Sequence, residues 1–160
     1  MIQIVYTLSH IHEMNTYMLA GYQISISDRK DCTNDVLCQQ YQITMPYQSH
    51  SCDVAYCKYN QWYRKINADG LITSDIKIWV WGHDCMMIAV LGYQYYAVCH
   101  AGWRWLTSGI VWQVVQKMIW LGELWSELQI VYGPHIRSCC FEISSEIACL
   151  RGVHCLYTKW

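Results

Sequence analysis

A cysteine and a histidine each stand at the end of an apolar run in the middle of the chain. Cys85 follows Asp84 where one run breaks, and His100 closes the next run, just before Ala-Gly-Trp-Arg. If consecutive strands end on the same side of a sheet, these two side chains come within bonding distance. Thiolate and imidazole are preferred zinc ligands, and catalytic zinc takes three protein ligands with a fourth position open.

The same two side chains permit other interpretations. A cysteine beside a histidine is also the nucleophile and base of cysteine hydrolases. In a chain with ten cysteines, such a pair in buried strands is more often a packing feature. Spacing alone therefore leaves open a metal site, a nucleophile site and a structural pair. The sequence contains no Cys-x-x-Cys pair, which argues against a zinc ribbon or finger.

Length and composition limit the class of protein. A chain of 160 residues with a net charge of −1 predicts one domain, residues 1–160, without a basic surface for nucleic acid. The longest apolar run, residues 86–93, is far shorter than the roughly 18 residues of a membrane span. The N-terminus also lacks the features of a secretory leader. We therefore expect a cytoplasmic protein that binds neither nucleic acid nor membrane.

The apolar pattern predicts the elements that would hold these residues. Strands are expected at residues 1–8, 21–27, 76–81, 86–92, 95–99 and 129–132. Helices are expected within 28–43, between Ser108 and Gly122, and at 140–151. Strands followed by strand–helix alternation predict a mixed α/β fold built as a sandwich of layers.

Four motifs in order resemble those of the laccase-domain family. They are an ADGLIT turn (68–73), a DC followed by an apolar strand (84–91), HAGWR (100–104) and GPxIxxCC (133–140). PYQSHSCDV (46–54) is similar to a further segment of the family, Q-x-H-x-x-x-V. Members are called polyphenol oxidases, multicopper-oxidase-like proteins or purine nucleoside phosphorylases. The resemblance covers residues 14–150.

The resemblance implies a site and an activity. The matching His, Cys and His of the family bind zinc at the catalytic centre, so His50, Cys85 and His100 are the implied metal ligands and catalytic residues. Zinc is the implied cofactor, ahead of copper. The implied reaction is phosphorolysis of adenosine or inosine, with adenosine deamination as an additional activity. The partners would be purine nucleosides and phosphate, and the assembly a homodimer.

Arg104, within the HAGWR motif, is the expected substrate-binding residue. A guanidinium group binds phosphate and other oxyanions bidentately, which suits a phosphate substrate. A structural ion pair is the alternative role for this side chain.

The fold implied by the resemblance is an α/β (α+β) layered mixed-sheet sandwich. Laccase domains share it with the cytotoxic necrotizing factor-like cysteine hydrolases. Three features depart from the family: Trp105 replaces a glycine, His83 replaces a small residue, and the domain looks shortened at its C-terminus. They favour a non-catalytic, designed or degenerate scaffold as one alternative function. A metal-free hydrolase or deamidase, with Cys85 as nucleophile and His100 as base, is the other.

The remaining cysteines and histidines are expected to have structural roles. Cys139 and Cys140 are adjacent at the start of an expected helix, a position that favours thiolates. Cys52 and Cys57 lie near His50 in the sequence and are competing candidates for a metal, although the family has no matching pair. His10 and His12 alternate on an expected strand as surface or core residues.

Overall fold

In the described part of the chain, apolar strands and one amphipathic helix build the layers of the fold. The structure, a computed structural model, describes residues 3–8, 15–28, 42–58, 66–104, 108–137 and 139–142. Its elements are β1 (Gln3–Leu8), β2 (Asn15–Leu19), β3 (Tyr22–Asp28), β4 (Ile43–Thr44), β5 (Val54–Tyr56), β6 (Gly70–Thr73), β7 (Lys77–Trp81), β8 (Met86–Leu91), β9 (Tyr96–Ala101), α1 (Ile110–Trp120) and β10 (Gln129–Tyr132), with a short 3₁₀ turn at Trp125–Glu127.

The strands form two mixed five-stranded sheets. The first has the order β2-β3-β1-β7-β4, in which β1 is parallel to both β3 and β7 and β2 is antiparallel to β3. The second has the order β10-β8-β9-β6-β5, antiparallel except for the β5–β6 pair. Together with α1 they confirm the expected mixed α/β fold.

The central strands of the second sheet, β6, β8 and β9, are buried on both faces, and this explains their continuous apolar sequences. The edge strand β10, whose apolar sequence predicted a buried strand, is instead mostly exposed. On one face the second sheet packs against the first sheet, where Ile24 and Ile78 meet Leu71 and Val98 in a shared core. On the other face Ile72, Cys99 and neighbouring side chains pack against the apolar side of α1. The layers are therefore sheet, sheet and helix.

The β8–β9 turn is held from outside by a single carboxylate. Glu123 is only 5% exposed. It accepts hydrogen bonds from the backbone N–H groups of Tyr93, Gln94 and Tyr95, at 2.7, 2.6 and 2.6 Å. A Cβ atom at position 92 would press on the Glu123 carboxyl group, which would have to move away from the turn, so glycine suits this position. Three donors compensate the buried charge and fix the turn.

Most of the expected elements are confirmed. β1, β3, β7, β8, β9 and β10 lie at the expected ranges within one or two residues, and α1 ends before Gly122, whose φ of 105° is left-handed. Residues 70–73, expected as part of a turn, instead form the buried strand β6. β2, β4 and β5 were not among the expected strands. The helices expected within 28–43 and at 140–151 lie almost wholly outside the described residues.

Helix α1 is too short to span a bilayer. In the part of the chain that the structure describes, no helix has the length and apolar character needed to cross a membrane.

The phase of α1 can be tested with two aspartate substitutions. Val115 is 3% exposed and faces the second sheet, whereas its neighbour Gln116 is exposed. We expect Val115→Asp to lower the free energy of unfolding by about 3 kcal/mol or more, because it buries an unpaired carboxylate. Gln116→Asp should change it by less than about 0.5 kcal/mol. Equal decreases in the free energy of unfolding of the two variants, measured by urea denaturation, would show that the helix faces the sheet with different residues.

Candidate metal centre

The β8–β9 hairpin brings Cys85 and His100 to the same end of the second sheet. β8 and β9 pair antiparallel, with Met86 opposite Ala101 and Met87 opposite His100. Cys85 immediately precedes β8, and His100 is the last but one residue of β9. The two side chains therefore meet as their spacing suggested.

His50 completes a compact group of three. One ligand atom from each of His50, Cys85 and His100 lies within 4.8 Å of the other two. The two imidazole rings are 4.7 Å apart between centroids and nearly perpendicular, at 83°. His100 is buried, Cys85 half-buried and His50 exposed, so the group opens to solvent on the His50 side. Among the described residues, no other group of three His, Cys, Asp or Glu side chains has this spacing.

Side-chain hydrogen bonds fix the segment that carries His50. The Gln48 amide donates to the Trp81 carbonyl at 2.9 Å and accepts from the Trp81 N–H at 2.6 Å. It thereby pairs with the end of β7 as a neighbouring strand would. His50 itself has a left-handed φ of 57°, a conformation that costs a non-glycine residue about 1–3 kcal/mol and persists only when its surroundings impose it.

Asp69, directly before β6, connects this segment to His100. Its carboxylate is fully buried. One oxygen lies 2.9 Å from the His100 Nδ1 atom. The other accepts from the Ser51 N–H at 2.6 Å, the Ser51 hydroxyl at 3.0 Å and the Ser49 N–H at 3.2 Å. The Asp69 carbonyl also accepts from the His100 N–H at 2.8 Å.

These contacts set the charge state of the site. Burial raises the pKa of the Asp69 carboxyl, but hydrogen bonds from His100 and Ser51 outweigh it and hold this pKa below its ordinary value. Burial lowers the pKa of His100, whereas its bonds to Asp69 and Cys85 raise it, with a net value of about 9. A metal that binds His100 therefore competes with a proton that these contacts stabilise.

Three cavities meet at Cys85. One of about 360 Å³ also contains His50 and His100 in its wall, and continues along Met45, Tyr47, Gln48, Trp81, His83 and Asp84. A second, of about 280 Å³, is lined by His50, Cys85, Gly102, Trp103 and Arg104. The third, of about 760 Å³, is lined by Asp84, Cys85, Met86, Ala101, Trp103, His135, Ile136, Arg137 and Phe141. A bound molecule can therefore reach the three-residue group from more than one side.

Arg104 lies beside the group, in the wall that it shares with His50 and Cys85. Its side chain is exposed, and its guanidinium carbon is 5.0 Å from the centre of the Trp103 ring. His83 is exposed and lines the 360 Å³ cavity. Trp105, His10 and His12 lie outside the described residues.

The other cysteines among the described residues lie apart from the three-residue group. Cys57 is buried in the core between the sheets, and burial raises the pKa of its thiol to about 11. The half-buried Cys52 contacts the Ser108 carbonyl at 3.7 Å. Cys139 and Cys140 are both exposed, with their sulfur atoms 3.4 Å apart.

Asp69 is the residue of this site that the sequence analysis did not single out. A signal was present, because an aspartate stands within the apolar segment Ala-Asp-Gly-Leu-Ile-Thr. A carboxylate in such a place must be paired or hydrogen-bonded once the segment is buried.

Comparison with curated proteins gives relatives with named activities. The chain is 33% identical over 119 residues to "Adenosine deaminase RL5" from an unknown prokaryotic organism, covering 66% of this chain and 45% of that protein. It is 30% identical over 83 residues to "Purine nucleoside phosphorylase" of Aquifex aeolicus (strain VF5), covering 51% of this chain and 39% of that protein. The chain thus spans less than half the length of these two relatives.

Solved structures share the fold at low sequence identity. The Bacillus licheniformis hypothetical protein YfiH superimposes with a TM-score of 0.63 at 17% identity, over 79% of this chain and 54% of that one. YlmD from Geobacillus stearothermophilus superimposes with a TM-score of 0.56 at 20% identity, over 72% of this chain and 49% of that one.

A family model decides the assignment. The model described as multi-copper polyphenol oxidoreductase laccase matches residues 23–150, a span that includes all three residues of the group and Asp69. The resemblance carried by the four sequence motifs is thereby confirmed, and this chain belongs to the multi-copper polyphenol oxidoreductase laccase family.

Proposed function

We propose that this chain binds one zinc ion through His50, Cys85 and His100 and uses it in the phosphorolysis of purine nucleosides. The observation that carries the proposal is the convergence of the three ligand atoms within 4.8 Å, at a point where three cavities meet. The names of the two curated relatives, an adenosine deaminase and a purine nucleoside phosphorylase, supply the substrate class. Adenosine deamination is the expected additional activity.

The donor set fits a catalytic zinc ion. Two imidazoles and one thiolate supply three nitrogen and sulfur ligands, which leaves a fourth position for a substrate. Two histidines and a cysteine also occur in blue-copper sites, whose function is electron transfer. A group that opens onto several cavities suits substrate chemistry better, so the proposal names zinc. When bound, zinc acts as a Lewis acid that stabilises negative charge on an oxygen of a reacting group.

The surrounding residues would position phosphate and nucleoside for the reaction. A phosphate oxygen forms a bond to the C1′ carbon of ribose, and the bond from C1′ to the purine breaks. The purine leaves with the electron pair and takes up the proton that hydrogen phosphate loses, so the products are ribose 1-phosphate and the free base. Arg104, in the wall beside His50 and Cys85, would bind the phosphate, since its guanidinium matches two phosphate oxygens. Orienting both reactants at one place accounts for a large part of such catalysis.

The largest cavity suits the nucleoside. Its volume of about 760 Å³ is within the range of roughly 300–1,000 Å³ of small-molecule sites. The rings of Trp103 and Phe141, 6.4 Å apart between centroids, form an aromatic wall for the base. Asp84 and His135 in the same wall supply polar groups that can recognise base or ribose.

A second candidate function rests on the proximity of Cys85 and His100, whose ligand atoms lie within 4.8 Å of each other. Together with the bond from His100 to Asp69, this proximity gives a Cys–His–Asp series like that of cysteine hydrolases and deamidases. In this reading Cys85 is the nucleophile, His100 its base and Asp69 the residue that orients the base. It ranks second because His50 then has no part in the reaction, although its ring lies 4.7 Å from that of His100.

The metal assignment is tested by removing each ligand. We expect Cys85→Ala, His50→Ala and His100→Ala each to lose stoichiometric zinc, because two ligands hold catalytic zinc poorly. Elemental analysis for zinc and copper after dialysis measures the loss. One tight zinc ion in Cys85→Ala would show that the assigned site is wrong.

Cys99→Ala is the matched control. Cys99 precedes His100 on β9 but lies in the core between the second sheet and α1, fully buried. Its substitution should cost about 1 kcal/mol of stability and leave the metal in place. Metal loss in this variant as well would mean that general destabilisation empties the site.

The phosphate assignment is tested by comparing two arginines. Arg104 shares a cavity wall with His50 and Cys85, whereas Arg137 lines the larger cavity. With inosine as substrate and free hypoxanthine as the product measured, we expect Arg104→Gln to raise the KM for phosphate about tenfold or more, which corresponds to a charge-assisted bond of about 1.5–3 kcal/mol. Arg137→Gln should leave this KM unchanged. The reverse result would place phosphate in the larger cavity.

Chelation separates the candidate functions. Base release that depends on phosphate and disappears together with zinc supports the phosphorylase, and inosine formed from adenosine in parallel supports the additional deaminase. Amide or ester hydrolysis that persists in metal-free protein and is lost in Cys85→Ala supports the hydrolase. A parent protein with neither metal nor turnover would be the non-catalytic scaffold.

A further inference from the structure

We propose that Asp69 is the positioning residue of the metal centre, where one buried carboxylate orients His100 and also holds the segment that carries His50. This inference rests on the proposed metal site. Asp69 contacts both ligand-bearing segments, although it lies 19 residues from His50 and 31 from His100.

Asp69 first fixes the tautomer of His100 and thereby determines which ring nitrogen can bind a metal. Its carboxylate oxygen lies 2.9 Å from Nδ1, and both side chains are almost fully buried. A carboxylate only accepts hydrogen bonds, so the proton of a neutral His100 must be on Nδ1. The Nε2 atom is then unprotonated and is the nitrogen left for the ion. Metal-binding histidines are oriented in this way by carboxylates in many proteins.

Asp69 also holds His50 in its left-handed backbone conformation. The residues on either side of it, Ser49 and Ser51, both donate backbone N–H groups to the second carboxylate oxygen, at 3.2 and 2.6 Å. The Ser51 hydroxyl adds a third bond to the same oxygen at 3.0 Å. These bonds fasten the chain on both sides of His50, and so they can offset the cost of its φ of 57°.

If Asp69 only stabilised the fold, its contacts to one of the two segments, that of His100 or that of His50, would be sufficient. Asp69 divides its two oxygens between the two ligand segments, one oxygen for each. A carboxylate that accepts from Nδ1–H also strengthens the histidine as a ligand through its other nitrogen. The arrangement therefore assembles two of the three ligands before any ion arrives.

Asp69→Asn tests the inference because the amide cannot replace both oxygens. If the amide oxygen stays with Ser51, its NH₂ group faces His100 Nδ1 and favours the tautomer with the proton on Nε2. If the oxygen turns to His100, the NH₂ group faces the N–H groups of Ser49 and Ser51 instead. In either case we expect the Kd for zinc, measured by competition with a chromophoric chelator, to rise about 10–100-fold.

Asp53→Asn is the matched control, because Asp53 is an exposed carboxylate two residues beyond Ser51. It undergoes the same change of charge and should keep the Kd of the parent protein. An equal rise in Asp53→Asn would show that overall charge, and not Asp69, controls the affinity. An unchanged Kd in a folded Asp69→Asn protein would overturn the inference.

A measurement on the parent protein decides the matter even if Asp69→Asn does not fold. Long-range ¹H–¹⁵N correlation spectra of the zinc-loaded protein identify the metal-bound nitrogen of each histidine. We expect His100 to be bound through Nε2 with a proton on Nδ1, and a folded Asp69→Asn variant to lose that signature. Binding through Nδ1 in the parent would overturn the inference while leaving the metal site intact. Absence of stoichiometric metal in the parent would instead overturn the proposed function, and this inference with it.

Discussion

Six register pairs join β8 to β9, and through them Met86 lies opposite Ala101 and Met87 opposite His100. Alternate residues of β9 face different layers: Val98 packs toward the first sheet and Cys99 toward α1. A slip of one residue would exchange these faces and turn His100 toward the helix. The two faces pack against different layers, so a slip would place each side chain in a core packed around another one. The position of the candidate metal centre therefore depends on this register.

The sequence was most informative where burial imposes a simple pattern. Strands buried on both faces, such as β8 and β9, appear as continuous apolar runs, so their ranges and the polar residues at their ends could be read directly. Helix α1 shows the 3–4 residue spacing of an amphipathic helix with a glycine after it. Cys85 and His100 are therefore candidate site residues from the sequence pattern alone, whereas His50 is a candidate only through the resemblance to the family.

Other elements of the fold cannot be predicted from the local sequence pattern. β4 and β5 have two and three residues, too few for a pattern to be seen. β6 begins at Gly70, within an Asp-Gly pair typical of turns, and it forms a strand because it pairs with β5 and β9. The parallel pairing of β1 with β7 joins segments about 70 residues apart, and no local preference encodes such a contact. The role of Asp69 likewise depends on three distant segments meeting.

The hairpin that carries Cys85 and His100 is anchored separately at its two ends. Glu123 holds its turn, and Asp69 contacts its other end. Six residues at about 3.4 Å each place these anchors about 20 Å apart, a distance at which the effects of substitutions usually add without coupling. The residues around the candidate metal centre can therefore change without disturbing the turn, so the two ends of one hairpin can vary independently.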